Sequence, residues 1–182
     1  MNGLERIQKA RNRVIESIAK NMDLYGVSPS MGRLYGITYF NDAPMTLEEM
    51  SQALGMSKTS MSAGVRFLSD LNMVEKVWVK GQRKDLYQAE QDWYQTFIDF
   101  FCIKWRKGIE MNREAIRRSL VELNQVANDH DVEEEIREMA GKDIQKLHQA
   151  LAYYEWLSRL VDSFETHEIF NFIPKPDSHQ NP

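Results

Sequence analysis

Ten residues, Ser57 to Arg66 (SKTSMSAGVR), hold four hydroxyl side chains and two cations close together. Ser57, Thr59, Ser60 and Ser62 each offer a hydrogen-bond donor and acceptor on a short stem, and Lys58 and Arg66 offer positive charge. Carried on the outer face of a helix, side chains of this length can approach base edges in a major groove. A helix face that is merely solvated more often carries long Glu and Lys. A second cationic group follows at once, with Lys80, Gln82, Arg83 and Lys84 gathered around Gly81. Between Ser57 and Lys84 there are six Lys or Arg against two acidic residues, although the 182-residue chain has a net charge of −4. A cationic patch on an acidic protein is the electrostatic footprint of a nucleic-acid reader whose remaining surface avoids nucleic acid.

Catalytic chemistry finds no comparable grouping. The four histidines (His130, His148, His167, His179) are scattered, and the one cysteine, Cys102, has no histidine near it in sequence. Neither metal-ligand spacing, nor a phosphate-cradling glycine loop, nor a nucleophile elbow is present. Glu90 and Asp99, the best acid–base candidates, lack a histidine or second carboxylate at a useful spacing. The expectation is a protein that is no enzyme and holds no metal or cofactor.

The elements that must position the polar face are legible around it. Thr46 and Glu49 form a capping box that opens a helix with Leu47, Met50 and Leu54 on one side. Gly55 stands where that helix ends and the chain turns back, which calls for positive φ. Ser57 then caps a second helix whose Met61, Val65 and Leu68 point inward, leaving the hydroxyls and cations outside. Val74 to Val79 alternates and is rich in β-branched and aromatic residues, so it reads as a strand; Lys80 to Arg83 is a turn, and Lys84 to Gln88 the returning strand. Helix, turn, helix and basic hairpin make a winged helix. The fold class is therefore mainly α with a small β-hairpin wing.

Around this module the periodicity predicts a first helix from about Leu4 to Tyr25, with Leu4, Ile7, Val14, Ile18, Met22 and Tyr25 on one stripe. Ser28-Pro29 starts a second helix running to Phe40. Asp92 can cap a long helix from Trp93 to about Gln125; Asn128 to Asp131 breaks it, and Asp131 can cap a last helix ending near Glu165. The organisation read from this is an N-terminal helix of a dimerisation region (1–25), a DNA-binding winged helix (26–90), a helical dimerisation and effector region (91–170) and a tail (171–182) expected to be disordered. The long helices outside the winged helix have two readings, a bundle packed on the same chain or an arm that pairs two copies. Pairing is the favoured one, since a single module reads too short a site to discriminate well.

Hydrophobic residues make up 42% of the chain, enough for a sizeable core, but no run approaches the ~20 residues needed to span a bilayer. The charged, helically patterned beginning lacks the apolar block of a signal peptide, and one cysteine fits a reducing compartment. A cytoplasmic protein is expected.

One stretch is not explained by the winged helix. Trp93 to Trp105 packs six aromatics into thirteen residues, with Trp93, Phe97, Phe101 and Trp105 recurring every four. Tyr35, Tyr39 and Phe40 add three more in the second helix, with Tyr25 nearby. Such a stripe can be core. It can also be an aromatic cage, since the faces of Trp and Tyr attract a quaternary ammonium ion. The spacing selects Tyr35, Tyr39, Trp93, Tyr94, Phe97 and Trp105 as candidate cage residues, with Asp99 a possible counter-charge.

The stretch GRLYGITYFNDAPMTLEEMSQALGMSKTSMSAGVRFLSDLNMVEKVWVKGQRKDLYQ, followed by DWYQTFIDFFCIKWRKGIE, resembles the GbsR-type regulators, a winged-helix group related to the MarR proteins of bacteria. The resemblance implies a repressor of genes for uptake or synthesis of the osmoprotectant glycine betaine, with choline as the usual inducer. It also implies a homodimer paired by helices outside the winged helix, with the effector seated between the DNA-binding and dimerisation parts. On the matching positions, Ser57, Thr59, Ser60, Ser62 and Arg66 would face operator DNA and Lys58 a phosphate. Two other readings stay open: a regulator that senses oxidants through Cys102 or binds a different small molecule, and a winged helix that binds protein alone.

Overall fold

The structure of the protein, a computed structural model, describes residues 2–23 and 26–176. They form two compact units, Met1–Phe100 and Phe101–Pro182, with one long helix running through the division.

In the first unit, α1 (Gly3–Asp23) and α2 (Pro29–Tyr39) precede the helix pair α3 (Leu47–Leu54) and α4 (Lys58–Ser69). Strands β1 (Val74–Val77) and β2 (Leu86–Ala89) then form the hairpin, in register from Val74 opposite Ala89 to Val77 opposite Leu86. Met45 adds a bridge to this ladder: its N–H donates to the Tyr87 carbonyl at 2.8 Å and its carbonyl accepts from Tyr87 N–H at 2.9 Å. The hairpin is thereby tied to the chain entering α3.

α2 is the central helix. Leu34 and Tyr35 are buried in a core that Met50, Met61, Val65, Leu68 and Val74 complete. Against α1 it packs unusually close, because Gly32 and Gly36, one turn apart, lie on Ala19 and Ile15. A Cβ at Gly32 would come within 2.5 Å of the Ala19 Cα, and one at Gly36 within 3.0 Å of the Ile15 side chain. This contact rotates the α1 face. Ile15, Ala19 and Met22 are the buried residues of α1, whereas Leu4, Ile7 and Val14 of the expected stripe are exposed. Tyr25, the expected last member, lies outside the described residues.

The strands are shorter than the sequence pattern predicts. β1 stops at Val77, two residues before Val79, and β2 begins at Leu86 instead of Lys84. Two interactions account for this. The Gln82 N–H donates to the Val79 carbonyl at 3.1 Å with Gly81 at φ 88°, a turn that takes Val79 out of the ladder. Lys76 also pairs with Asp85 at 2.8 Å, bracing the end of the ladder.

In the second unit, the rest of α5 (Trp93–Asn128) and α6 (Glu134–Glu165) form a helical hairpin. Cys102, Ile109 and Ile116 are buried at seven-residue intervals on α5, and Ala140, Leu157 and Val161 are buried on α6. Arg106 braces the pair with a bidentate contact to Glu165, a bond to Asp162 and one to Ser158 Oγ at 3.2 Å. α5 runs past the expected Gln125 because Asn124 and Asn128 donate to carbonyls four residues back, at 2.6 and 2.7 Å, staying within the helix.

Asp131 does not cap α6. Its N–H instead donates to Asp129 Oδ1 at 2.9 Å in a local turn, and Glu133 takes the cap position without a side-chain bond. A one-turn helix, α7 (Ile169–Phe172), follows. It lies partly in the expected tail, the last six residues of which are outside those described.

Candidate nucleic-acid interface

The Thr46 hydroxyl accepts from Glu49 N–H at 3.2 Å while the Glu49 carboxylate accepts from Thr46 N–H at 2.7 Å, the reciprocal pair expected. Gly55 ends α3 at φ 64°. Ser57 Oγ accepts from Ser60 N–H at 3.1 Å and lies 2.9 Å from Ser60 Oγ, opening α4. Met61, Val65 and Leu68 are buried beneath it. Gly64 is buried as well, at a point where a Cβ would meet Leu34 Cδ2 at 2.8 Å. The opposite face stays open: Ser57, Lys58, Thr59 and Arg66 are exposed, Ser60 and Ser62 half-buried. Two of the four hydroxyls are therefore engaged in the cap, and Thr59 and Ser62 carry no part of it.

The wing residues Lys80, Gln82, Arg83 and Lys84 are all exposed, but the cations differ in what they meet. Lys84 Nζ donates to Glu48 Oε2 at 2.7 Å, linking the wing to the first turn of α3. The contact holds the Glu48 carboxyl below the usual carboxylate range, with smaller help from Lys58, and raises the Lys84 ammonium. Lys58, Glu48 and Lys84 line one cleft of about 250 Å³. With Lys76 on Asp85, two of the six cations counted along the sequence are balanced by carboxylates just outside that count. Lys58, Arg66, Lys80 and Arg83 remain. Glu48 is the interface residue that sequence reasoning missed; it lies 36 positions from Lys84, and nothing local points to the pairing.

The aromatic candidates separate. Tyr35, Tyr39 and Trp93 come together: Trp93 Nε1–H donates to the Tyr39 hydroxyl at 2.7 Å, and the ring centroids lie 4.9 Å (Tyr39–Trp93), 6.0 Å (Tyr35–Trp93) and 6.1 Å (Tyr35–Tyr39) apart. At these separations the rings fill the space between one another. Tyr35 is 1% exposed, with its hydroxyl 3.4 Å from the Glu90 carbonyl and 3.5 Å from Thr96 Oγ1; burial raises its pKa. Trp93, Tyr94 and Phe97 are exposed on the first turns of α5. Asp99 accepts from Gln95 Nε2 at 2.8 Å. Trp105 belongs to the second unit, where it packs on Phe101 at 5.9 Å.

Cys102 is 4% exposed, its thiol 3.8 Å from the Val161 carbonyl. Among the described residues no cluster of His, Cys, Asp and Glu could hold a metal ion, and no helix is long and apolar enough to cross a membrane.

A family model for the C-terminal helical hairpin of GbsR family transcriptional regulators matches residues 93–171, the span of α5 to α7. The HTH-type transcriptional repressor OpcR of Bacillus subtilis (strain 168) is 44% identical over 172 residues, covering 94% of this chain and 93% of its own. The HTH-type transcriptional repressor GbsR of the same organism is 45% identical over 168 residues, covering 92% and 93%. Among solved structures, a transcriptional regulator superposes with a TM-score of 0.52 at 18% identity, covering 81% of this chain and 99% of that one; this is a likeness of fold.

Proposed function

The chain belongs to the GbsR family of transcriptional regulators, and from that premise we propose that it is a cytoplasmic repressor that reads operator DNA through α4 and the wing, as a homodimer. The observation that carries the proposal is the outer face of α4, where Lys58, Thr59 and Arg66 are exposed and Ser62 half-buried over a buried Met61–Val65–Leu68 base. Thr59 and Ser62 are of a length to meet base edges, and Arg66, Lys58, Lys80 and Arg83 have the charge to hold phosphates on either side. Ser57 and Ser60 close the first turn of α4, and the positive pole of the helix at that end favours a phosphate.

The regulated genes, in this proposal, serve uptake or synthesis of an osmoprotectant, and a quaternary ammonium ion such as choline weakens operator binding. A cation of this kind needs electron-rich ring faces more than hydrogen bonds. Tyr35 and Tyr39 are packed on Trp93, and Trp93, Tyr94, Phe97 and Trp105 expose ring surface that such an ion could meet.

A gel shift tests both parts. Wild-type protein is expected to retard the duplex it enriches from a random-sequence pool, and Arg66→Ala with Arg83→Ala to abolish the retardation. Added choline at millimolar concentration is expected to release it. Indifference to choline removes the sensing role alone; unaltered binding by the double variant removes the α4 assignment. Oxidant sensing at Cys102 is disfavoured by its burial, since a reactive thiol needs an accessible, electropositive site. Binding to protein alone would lack the steep fall with salt that phosphate contacts impose.

A further inference from the structure

We propose that Trp78 is a DNA-contacting residue of the wing, its indole packing on sugar and base edges beside phosphates held by Lys80 and Arg83. The inference rests on the reading of α4 and the wing as a duplex reader. Trp78 is 81% exposed, whereas Trp93, Trp105 and Trp156 are 45%, 41% and 51% exposed. Water is an unfavourable place for so large an apolar ring. The hairpin does not need the indole for its own packing, because Val74, Leu86 and Ala89 are buried without it.

The local geometry fixes where the ring sits. The Val79–Gln82 turn puts Lys80 and Gly81 at the tip and leaves Trp78 and Arg83 flanking it. Trp78, Gln82, Arg83 and Lys76 line a single cleft of about 340 Å³. An apolar pocket on another protein could also cover an indole, but the surroundings select a polyanion. Among the described residues Lys80 and Arg83 make no ion pair, while the nearest hairpin carboxylate, Asp85, is occupied by Lys76. An apolar side chain between unpaired cations is an arrangement used by proteins that press against the duplex, the cations holding phosphates and the ring meeting sugars and bases irrespective of sequence.

The test uses the full chain labelled with fluorotryptophan and the duplex it enriches from a random-sequence pool. The Trp78 fluorine resonance is identified by its loss in Trp78→Phe. It is expected to shift when the duplex is added. Trp78→Ala is expected to weaken duplex binding about tenfold or more without altering the slope of log affinity against log salt. Trp78→Phe is expected to recover part of the loss, and Arg83→Ala to flatten the slope. Melting curves establish that the exposed-site variants stay folded. A resonance that does not move, or Trp78→Ala binding as tightly as wild type, overturns the contact while the duplex reading stands. A slope flattened by Trp78→Ala as much as by Arg83→Ala also overturns it, because the ring would then act only by placing the cations. Wild-type protein that binds no duplex at about 50 mM salt overturns both readings.

Discussion

Lys84 and Ser57 illustrate how a side chain's neighbours redefine what its type suggests. Lys84 reads as a phosphate ligand, yet at 2.7 Å from Glu48 it serves first as a strut between wing and α3. Removing the carboxylate charge should free it for the duplex. Glu48→Gln is expected to tighten binding and to steepen the salt dependence by up to about 0.9 in log–log slope, the increment for one further neutralised phosphate; unchanged slope in a salt titration would show that Lys84 never reaches DNA. Because the contact holds Glu48 below the ordinary value of 4.5, the pair is complete above that pH and is lost as pH falls through the lowered value. The side-chain Cε resonance of Lys84 should accordingly shift in acid in the wild type and shift less in Glu48→Gln. Ser57 reads as a base contact, but its Oγ already accepts from Ser60 N–H. Ser57→Ala should cost about 1 kcal/mol of stability. Ser57→Asp keeps the cap, so thermal stability should hold while the added charge, facing phosphates, weakens duplex binding. Equal duplex affinity for Ser57→Asp and wild type, measured by anisotropy, would place this end of α4 away from the backbone.

The elements of the winged helix were legible because each is signalled by short-range chemistry. The capping box at Thr46 and Glu49, the positive φ of Gly55 and the Ser57 cap are all decided within four residues, and all appear as expected. Errors arose where a distant contact decides the outcome. The face of α1 is set by Gly32 and Gly36 on another helix, which periodicity within α1 does not contain. The hairpin ends at Val77 because of the Gln82–Val79 bond and the Lys76–Asp85 pair, interactions between residues that alternation treats as equivalent. Asp131 had the type of a cap, but the Asp129–Val132 turn carries the chain on and α6 opens two residues later, with Glu133 at the cap position. The aromatic stripe was legible only as a composition; that Tyr35 is core and Trp93 exposed depends on which side of α5 meets α2. The α1–α2 contact gives an element-level prediction. A methyl at Gly32 would sit 2.5 Å from Ala19 Cα, backbone that cannot step aside. Gly32→Ala should therefore destabilise by about 1–3 kcal/mol despite the better helix propensity of alanine. Gly3→Ala, where a Cβ meets nothing within 4 Å, is the control. A melting temperature for Gly32→Ala at or above that of the control would mean that α1 and α2 cross less closely.

At the scale of the whole molecule, the proposed function has an ion far smaller than the duplex displace the protein from it. In the proposed homodimer two winged helices would meet one duplex, spaced by one helical turn of ~34 Å. Apolar side chains left exposed in each unit, Leu4, Ile7 and Val14 in the first and Met111, Val121 and Met139 in the second, give a second copy surface to cover. Leu4→Glu with Ile7→Glu is accordingly expected to yield monomers by sedimentation and to lose operator affinity while keeping its helical content; a dimer that persists would move the pairing surface away from α1. Given such a dimer, choline can act only through a difference in its affinity for the DNA-competent and DNA-incompetent spacings, typically ~1–3 kcal/mol or about 5–150-fold. Linkage then makes the effect reciprocal: the factor by which choline weakens operator binding must equal the factor by which operator weakens choline binding. Calorimetry of choline on the free protein and on the preformed complex measures the second factor, and anisotropy with and without choline the first. Factors above one would establish that choline and operator are coupled on the protein. Choline that binds both forms alike, however tightly, would leave operator affinity unchanged and make it a bystander.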